Sequence, residues 1–148
     1  MKYNIVYFSR TGVSKMVAET IANGIDNEVI EITDDKNWNG ILGFIKGGFY
    51  ASTDKQVSIK VDGEIDRTKD YIVVSPLWAG GPAPAIRRFL KEVPFNKVKL
   101  VITCDGSNVE KSIKKFEDKH GKFKESYGIV KHENNEEQII KQIIDASK

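Results

Sequence analysis

Hydroxyl side chains crowd into one short stretch of this chain. In YFSRTGVSK, Tyr7 to Lys15, the residues Ser9, Thr11 and Ser14 surround one glycine, Gly12, where a strand-like run gives way to helical spacing. Their shared chemistry is hydrogen-bond donation. A helix start adds unpaired N–H groups and roughly half a positive charge from the macrodipole. With Gly12 allowing close backbone approach, the stretch Ser9-Arg10-Thr11-Gly12-Val13-Ser14 can hold a terminal phosphate mainly with dipoles, needing few formal cations. A plainer reading fits equally well: Ser14 caps the helix, and the other hydroxyls are turn residues. Better-known phosphate loops fit poorly. A triphosphate loop wants Gly-x4-Gly-Lys-Ser/Thr, whereas Lys15 lies between Ser14 and Met16, and a dinucleotide fingerprint wants three spaced glycines.

Two more stretches carry unusual residues. SPLWAGGPAP, Ser75 to Pro84, holds Trp78 between Pro76-Leu77 and Ala79-Gly80-Gly81. An indole at such a loop can stack on a flat ring, or it can be a core residue. Gly80 and Gly81 can take positive φ, so a peptide there could turn its carbonyl towards a ligand. Cys104-Asp105-Gly106-Ser107-Asn108 offers backbone donors and acceptors and one carboxylate, or simply a turn at Asp105-Gly106. Neither His120 nor His132 is spaced to activate Cys104, which reads as a structural thiol rather than a catalytic one. One cysteine and two distant histidines form no metal-ligand cluster.

The elements that must position these stretches alternate. Strands are expected at Tyr3 to Phe8, Glu28 to Ile32, Asp70 to Ser75, Val98 to Cys104 and Tyr127 to Val130. Between them run helical stripes: Val17, Ile21 and Ile25 after Ser14; Trp38, Ile41, Leu42, Ile45 and Phe49, ending near Gly47; and Ile86, Phe89, Leu90 and Val93. Ser107-x-x-Glu110 has capping-box spacing before Val109, Ile113 and Phe116, and Asn134 or Asn135 caps a last helix with Ile139, Ile140, Ile143 and Ile144 facing inward. QVSIKV, before Asp62, is only briefly extended. Alternation of this kind predicts an α/β fold, with a parallel sheet covered by helices on both faces. The loops after the first, third and fourth strands then emerge on one sheet edge, where such folds bind ligands.

Composition narrows the classes. With 148 residues, 40% hydrophobic and 30% charged, the chain reads as one globular domain, residues 1–148. A net charge of +2 gives no argument for nucleic acid, and the lysines at 111, 114, 115, 119, 122 and 124 read as a solvated helix face. A lone cysteine and the lack of a signal-like or membrane-length apolar run lead to a cytoplasmic expectation.

Taken in order, the three stretches resemble the flavodoxin family along essentially the whole chain. Ser9 to Ser14 is similar to that family's FMN phosphate loop, Ser75 to Pro84 to its flavin-stacking loop, and Cys104 to Asn108 falls where its third flavin loop lies. The resemblance implies a three-layer α-β-α, doubly wound, five-stranded parallel sheet of order 2-1-3-4-5, of the short-chain type. It implies non-covalent FMN held by Ser9 to Ser14, Ser75 to Gly80 and Cys104 to Ser107, with no side chain acting as acid, base or nucleophile. The implied function is a low-molecular-weight electron carrier serving redox partner proteins, the alternative being a small FMN-dependent NAD(P)H:quinone or acceptor reductase. A loop carbonyl at Gly80 or Gly81 would accept from the flavin N5–H, and Asp105 would repel an anionic reduced flavin. Two departures stand out. The chain is slightly basic where family carriers are acidic, and CDGSN has no aromatic to cover the second flavin face, leaving that role to Phe49 or Tyr50 or leaving the face open.

Overall fold

A computed structural model of the chain describes residues 2–35, 57–106 and 108–148. The expected helix stripe from Trp38 to Phe49, along with Tyr50 and Ser107, lies outside these residues. The chain runs β1 (Tyr3–Tyr7), α1 (Val13–Gly24), β2 (Val29–Asp34), β3 (Ile59–Asp62), β4 (Asp70–Trp78), β5 (Gly81–Pro82), α2 (Pro84–Leu90), β6 (Val98–Cys104), α3 (Val109–His120), β7 (Glu125–Val130) and α4 (Glu136–Ser147).

The sheet among the described residues has seven strands rather than the expected five. Its order is β3-β2-β1-β4-β6-β7, with β5 pairing β4. β1, β2, β4, β6 and β7 are mutually parallel, while β3 and β5 are the antiparallel additions. Short, half-exposed β3 pairs Glu31 with Asp62 and Asp34 with Ile59 on the edge of β2. Neighbouring residues of each central strand point to opposite faces, so each feeds two cores. Ile5, Ile72 and Val74 pack with Val17 and Ile21 of α1 and Ile140 and Ile143 of α4. Val6, Val73, Leu100 and Ile102 pack with Ile86 and Phe89 of α2 and Phe116 of α3. Each fully buried isoleucine contributes about 1.5–3 kcal/mol relative to exposure.

Several boundaries move for physical reasons. β4 continues through Pro76, which still pairs with Thr103 of β6, and through Leu77 and Trp78, which pair back onto β5 opposite Pro82 and Gly81. Ala79 (φ 49°) and Gly80 (φ 78°) form the two-residue turn, whose left-handed geometry matches strand twist. The third helix begins one residue later than the capping box suggested, with the Asn108 side chain accepting from the Lys111 N–H at 3.1 Å. Asn135 precedes α4, yet its side chain turns back to β7 instead of capping. No helix among the described residues is long and apolar enough to cross a membrane.

Candidate functional site

The loop after β1 is shaped by its own hydroxyls. Ser9 Oγ accepts the Gly12 N–H at 3.0 Å and closes the turn. Gly12 takes φ 97°, a conformation side chains resist, and its carbonyl accepts the first α1 bond from Met16 N at 3.0 Å. Ser14 is therefore not the cap: Gly12 holds that position, and Ser14 lies inside the first turn. Its buried hydroxyl needs a partner and finds Thr103 Oγ1 at 2.9 Å, tying α1 to the end of β6. Gly12 has no side chain with which to cap α1, and no acidic residue occupies its first turn, so among the described residues no side chain offsets the positive end of its dipole.

The loop after β4 is a stiff hairpin. Ser75 Oγ, fully buried, accepts from Ala83 N and donates to Pro76 O, both at 2.9 Å. From α2, Arg87 donates to Pro82 O at 2.7 Å and to Trp78 O at 3.3 Å, clamping both strands. A Cβ on Gly81 would collide with Arg87 Nη2. Gly81 thus makes room for the clamp and lies outside the positive-φ region, in contrast to the expected flip, whereas Gly80 has the required freedom. Trp78 is half-buried and meets Phe8 edge-on, centroids 5.6 Å apart.

The third loop, after β6, is braced from below. His132 N donates to Asp105 O at 2.8 Å, and a Cβ on Gly106 would meet His132 Nδ1. The turn Lys131–Glu133 after β7 is thus packed onto this loop, with Gly106 leaving space for the imidazole.

A cavity of about 670 Å3 opens where the three loops meet. Its walls take Thr11 and Val13 from the first loop, Pro76 and Leu77 from the second, and Cys104, Asp105 and Gly106 from the third. Ser9, Arg10, Gly12, Ser14, Ser75, Trp78, Ala79 and Gly80 stand outside that wall as supports or neighbours, and Ser107 is outside the described residues. The wall also includes residues that sequence reasoning passed over: Met16, Thr103, Lys131, His132, Asn134 and Glu136. Thr103 carried a faint signal, being a hydroxyl near the loop end of an otherwise apolar strand. The sequence presents His132 only as a candidate partner for Cys104 and Asn134 only as a helix cap, and Met16, Lys131 and Glu136 carry no signal. Among the described residues no three His, Cys, Asp or Glu side chains converge on a metal position.

The donors fit an anion with a flat, partly apolar body. The first-turn amides of α1 and the Thr11 hydroxyl can donate, while Val13, Pro76 and Leu77 give apolar wall. No family model matches the chain, and no curated protein matches it in sequence. Solved structures do match in fold. One is a flavoprotein from Lactobacillus acidophilus NCFM in complex with FMN, at TM-score 0.70 and 21% identity, over 94% of this chain and 99% of that one. Proteins described as candidate flavoproteins from Bacteroides eggerthii DSM 20697 (TM-score 0.74, 16% identity, 99% and 97% covered) and Bacteroides uniformis ATCC 8492 (0.72, 18%, 97% of each) are also similar. The chain is an α/β protein with a mostly parallel sheet, and it shares this fold with them over nearly their full length.

Proposed function

We propose that this chain binds FMN non-covalently in the three-loop cavity and works as a small electron carrier between redox partner proteins. The observation that carries the reading is the meeting of three loops at one cavity beside a helix start whose cap, Gly12, has no side chain and whose first turn has no acidic residue. The fold shared with an FMN-bound flavoprotein supports it. FMN supplies one- and two-electron chemistry when bound. The chain's own work is binding and electrostatics. The first-turn amides of α1 and the Thr11 hydroxyl hold the phosphate, with Ser14 fixing Thr103 in place behind them. The clamped hairpin sets the edge on which Trp78 sits, and Gly80 is the residue there with conformational freedom. Asp105 places negative charge on the wall, to which Lys131 brings a cation and His132 an imidazole.

The test begins with purified protein stripped of any ligand and titrated with FMN, following quenching of flavin fluorescence. Saturable one-to-one binding is expected, with riboflavin binding more weakly because it lacks the phosphate. An anaerobic stepwise reduction then reads the function. Two separated one-electron steps support the carrier. Fast reduction by NADH or NADPH alone, followed by quinone turnover, supports a reductase instead, and failure to bind FMN overturns both.

A further inference from the structure

A second cavity, of about 720 Å3, is a groove along the outer edge of β7, with α3 on one side and α4 on the other. Among the described residues β7 ends the sheet and pairs with β6 alone. Such an edge presents backbone donors and acceptors unless something covers them. Asn135 covers part of it. Its Oδ1 accepts from Val130 N–H at 2.9 Å and its Nδ2 donates to Gly128 C=O at 3.1 Å, as a neighbouring strand would. Strand alternation puts the N–H and C=O of Ser126 and the N–H of Gly128 on this same outward side, facing the groove.

The groove's walls define what could complete the ladder. Val109, Ile113, Tyr127 and Ile139 give apolar surface, and Gly128 lets α3 pack down on the strand, since a Cβ there would approach Val109 Cγ1 to 2.9 Å. Among the described residues, Glu110, Glu133 and Glu117, the last accepting the Phe123 N–H at 2.8 Å, stand around this surface against one cation, Lys114, which is itself paired with Asp118 at 3.6 Å. The groove is acidic in a chain whose net charge is +2. We infer that the β7 edge docks an extended segment of a partner protein carrying lysine or arginine, which adds to the sheet as a further strand. Main-chain bonds to Ser126 and Gly128 give the affinity, and the carboxylates select the charge. The groove shares Val130 with the three-loop cavity, so the docked partner lies beside that cavity's rim. The inference holds whether or not the cavity binds a flavin.

The experiment uses the full chain, isotope-labelled, and two capped probe peptides, Lys-Val-Lys-Val-Lys and Glu-Val-Glu-Val-Glu. The lysine probe slows amide exchange at Ser126 and Gly128 by about tenfold or more at saturation and leaves Lys60 and Asp62 on the opposite sheet edge unchanged. Added salt weakens it. The glutamate probe has no effect. Glu110→Gln with Glu133→Lys, both at exposed positions, weakens the lysine probe at least ~threefold, with thermal unfolding lowered only slightly by the charge lost from the first turn of α3. No protection by the lysine probe, or equal protection by both probes, overturns the proposal. So does sedimentation showing β7 already paired with a second copy, since the occupant would then be this chain itself.

Discussion

The two ends of the sheet treat buried polar groups in opposite ways. At the amino-terminal end of β6, Lys99 is almost fully buried and wholly partnered. Its Nζ reaches Tyr3 Oη and Ser147 Oγ at 3.2 Å and Ala146 O at 3.5 Å, pairs with Glu125 at 3.6 Å, and lies 5.0 Å from the Tyr3 ring centroid. The cation also sits at the carboxyl end of α4, where the helix dipole is negative. At the other end, Ser14 and Thr103 satisfy one another, while the α1 amides beside them have no side-chain cap. The first end spends its polar groups on holding the last helix. The second leaves the start of α1 without a capping side chain among the described residues, and the proposed binding site rests on that difference.

The comparison breaks most easily at Lys99. Lys99→Ala strands two hydroxyls and a carbonyl in the interior and should lower stability by about 3 kcal/mol, read by urea unfolding. Lys99→Met keeps the chain length and should recover over half of that loss. FMN affinity should be unmoved in Lys99→Met. A drop in affinity there would mean the two ends are coupled and the contrast is false.

At the binding end the largest effect is expected at Trp78. Trp78→Ala should weaken FMN binding by about 1–3 kcal/mol if the indole stacks on the flavin. Unchanged affinity accompanied by lower stability would assign the ring wholly to its contact with Phe8. Gly12→Val sharpens the point further. A Cβ at Gly12 meets nothing within 4 Å, so the cost is backbone strain at φ 97°, about 1–2 kcal/mol. If the glycine serves the phosphate as proposed, the variant should lose FMN affinity while changing riboflavin affinity little. Equal losses for both ligands would remove the phosphate role from this loop.

The alternation of elements was legible because apolar spacing switches cleanly between two and 3.6: Ile5 and Val6 part to opposite cores, whereas Val17 and Ile21 share one. β3 was not, since four residues with only Ile59 and Val61 half-buried carry little pattern. Pro76 and the paired glycines disguised a hairpin as a loop, and the Arg87 clamp that makes it a hairpin spans separate elements. The three cavity loops could be located from the strand ends alone. Lys131 to Glu136 could not, because charged residues in a turn have the same signature whether they line a cavity or face open water. Ser14 shows a subtler limit: a hydroxyl near a helix start suggests a cap, and only the proximity of Thr103 shows that it is a cross-link instead.

The smallest expected effect appears only in alkali, and it sets the two ends against each other once more. Tyr7, at the carboxyl end of β1, donates to Glu31 at 3.2 Å, and burial together with that carboxylate pushes its phenol up to about 12. Tyr127, on β7, donates to Glu125 at 2.6 Å and is pushed up further still, by burial first and the carboxylate second. Both phenols keep their proton at neutral pH in the folded and unfolded chain, so neither contributes to pH dependence there. Above about pH 10 the unfolded chain releases these protons and the folded chain retains them, so stability falls as pH rises towards the raised values. Tyr7→Phe and Tyr127→Phe should each make that decline shallower between about pH 10 and 12, and Tyr127→Phe more so because its shift is larger. Denaturant midpoints across that window check it. If neither variant changes the slope, the two phenol–carboxylate contacts do not hold their protons in the folded state, and the fully partnered character assigned to the Lys99–Glu125 end loses one of its supports.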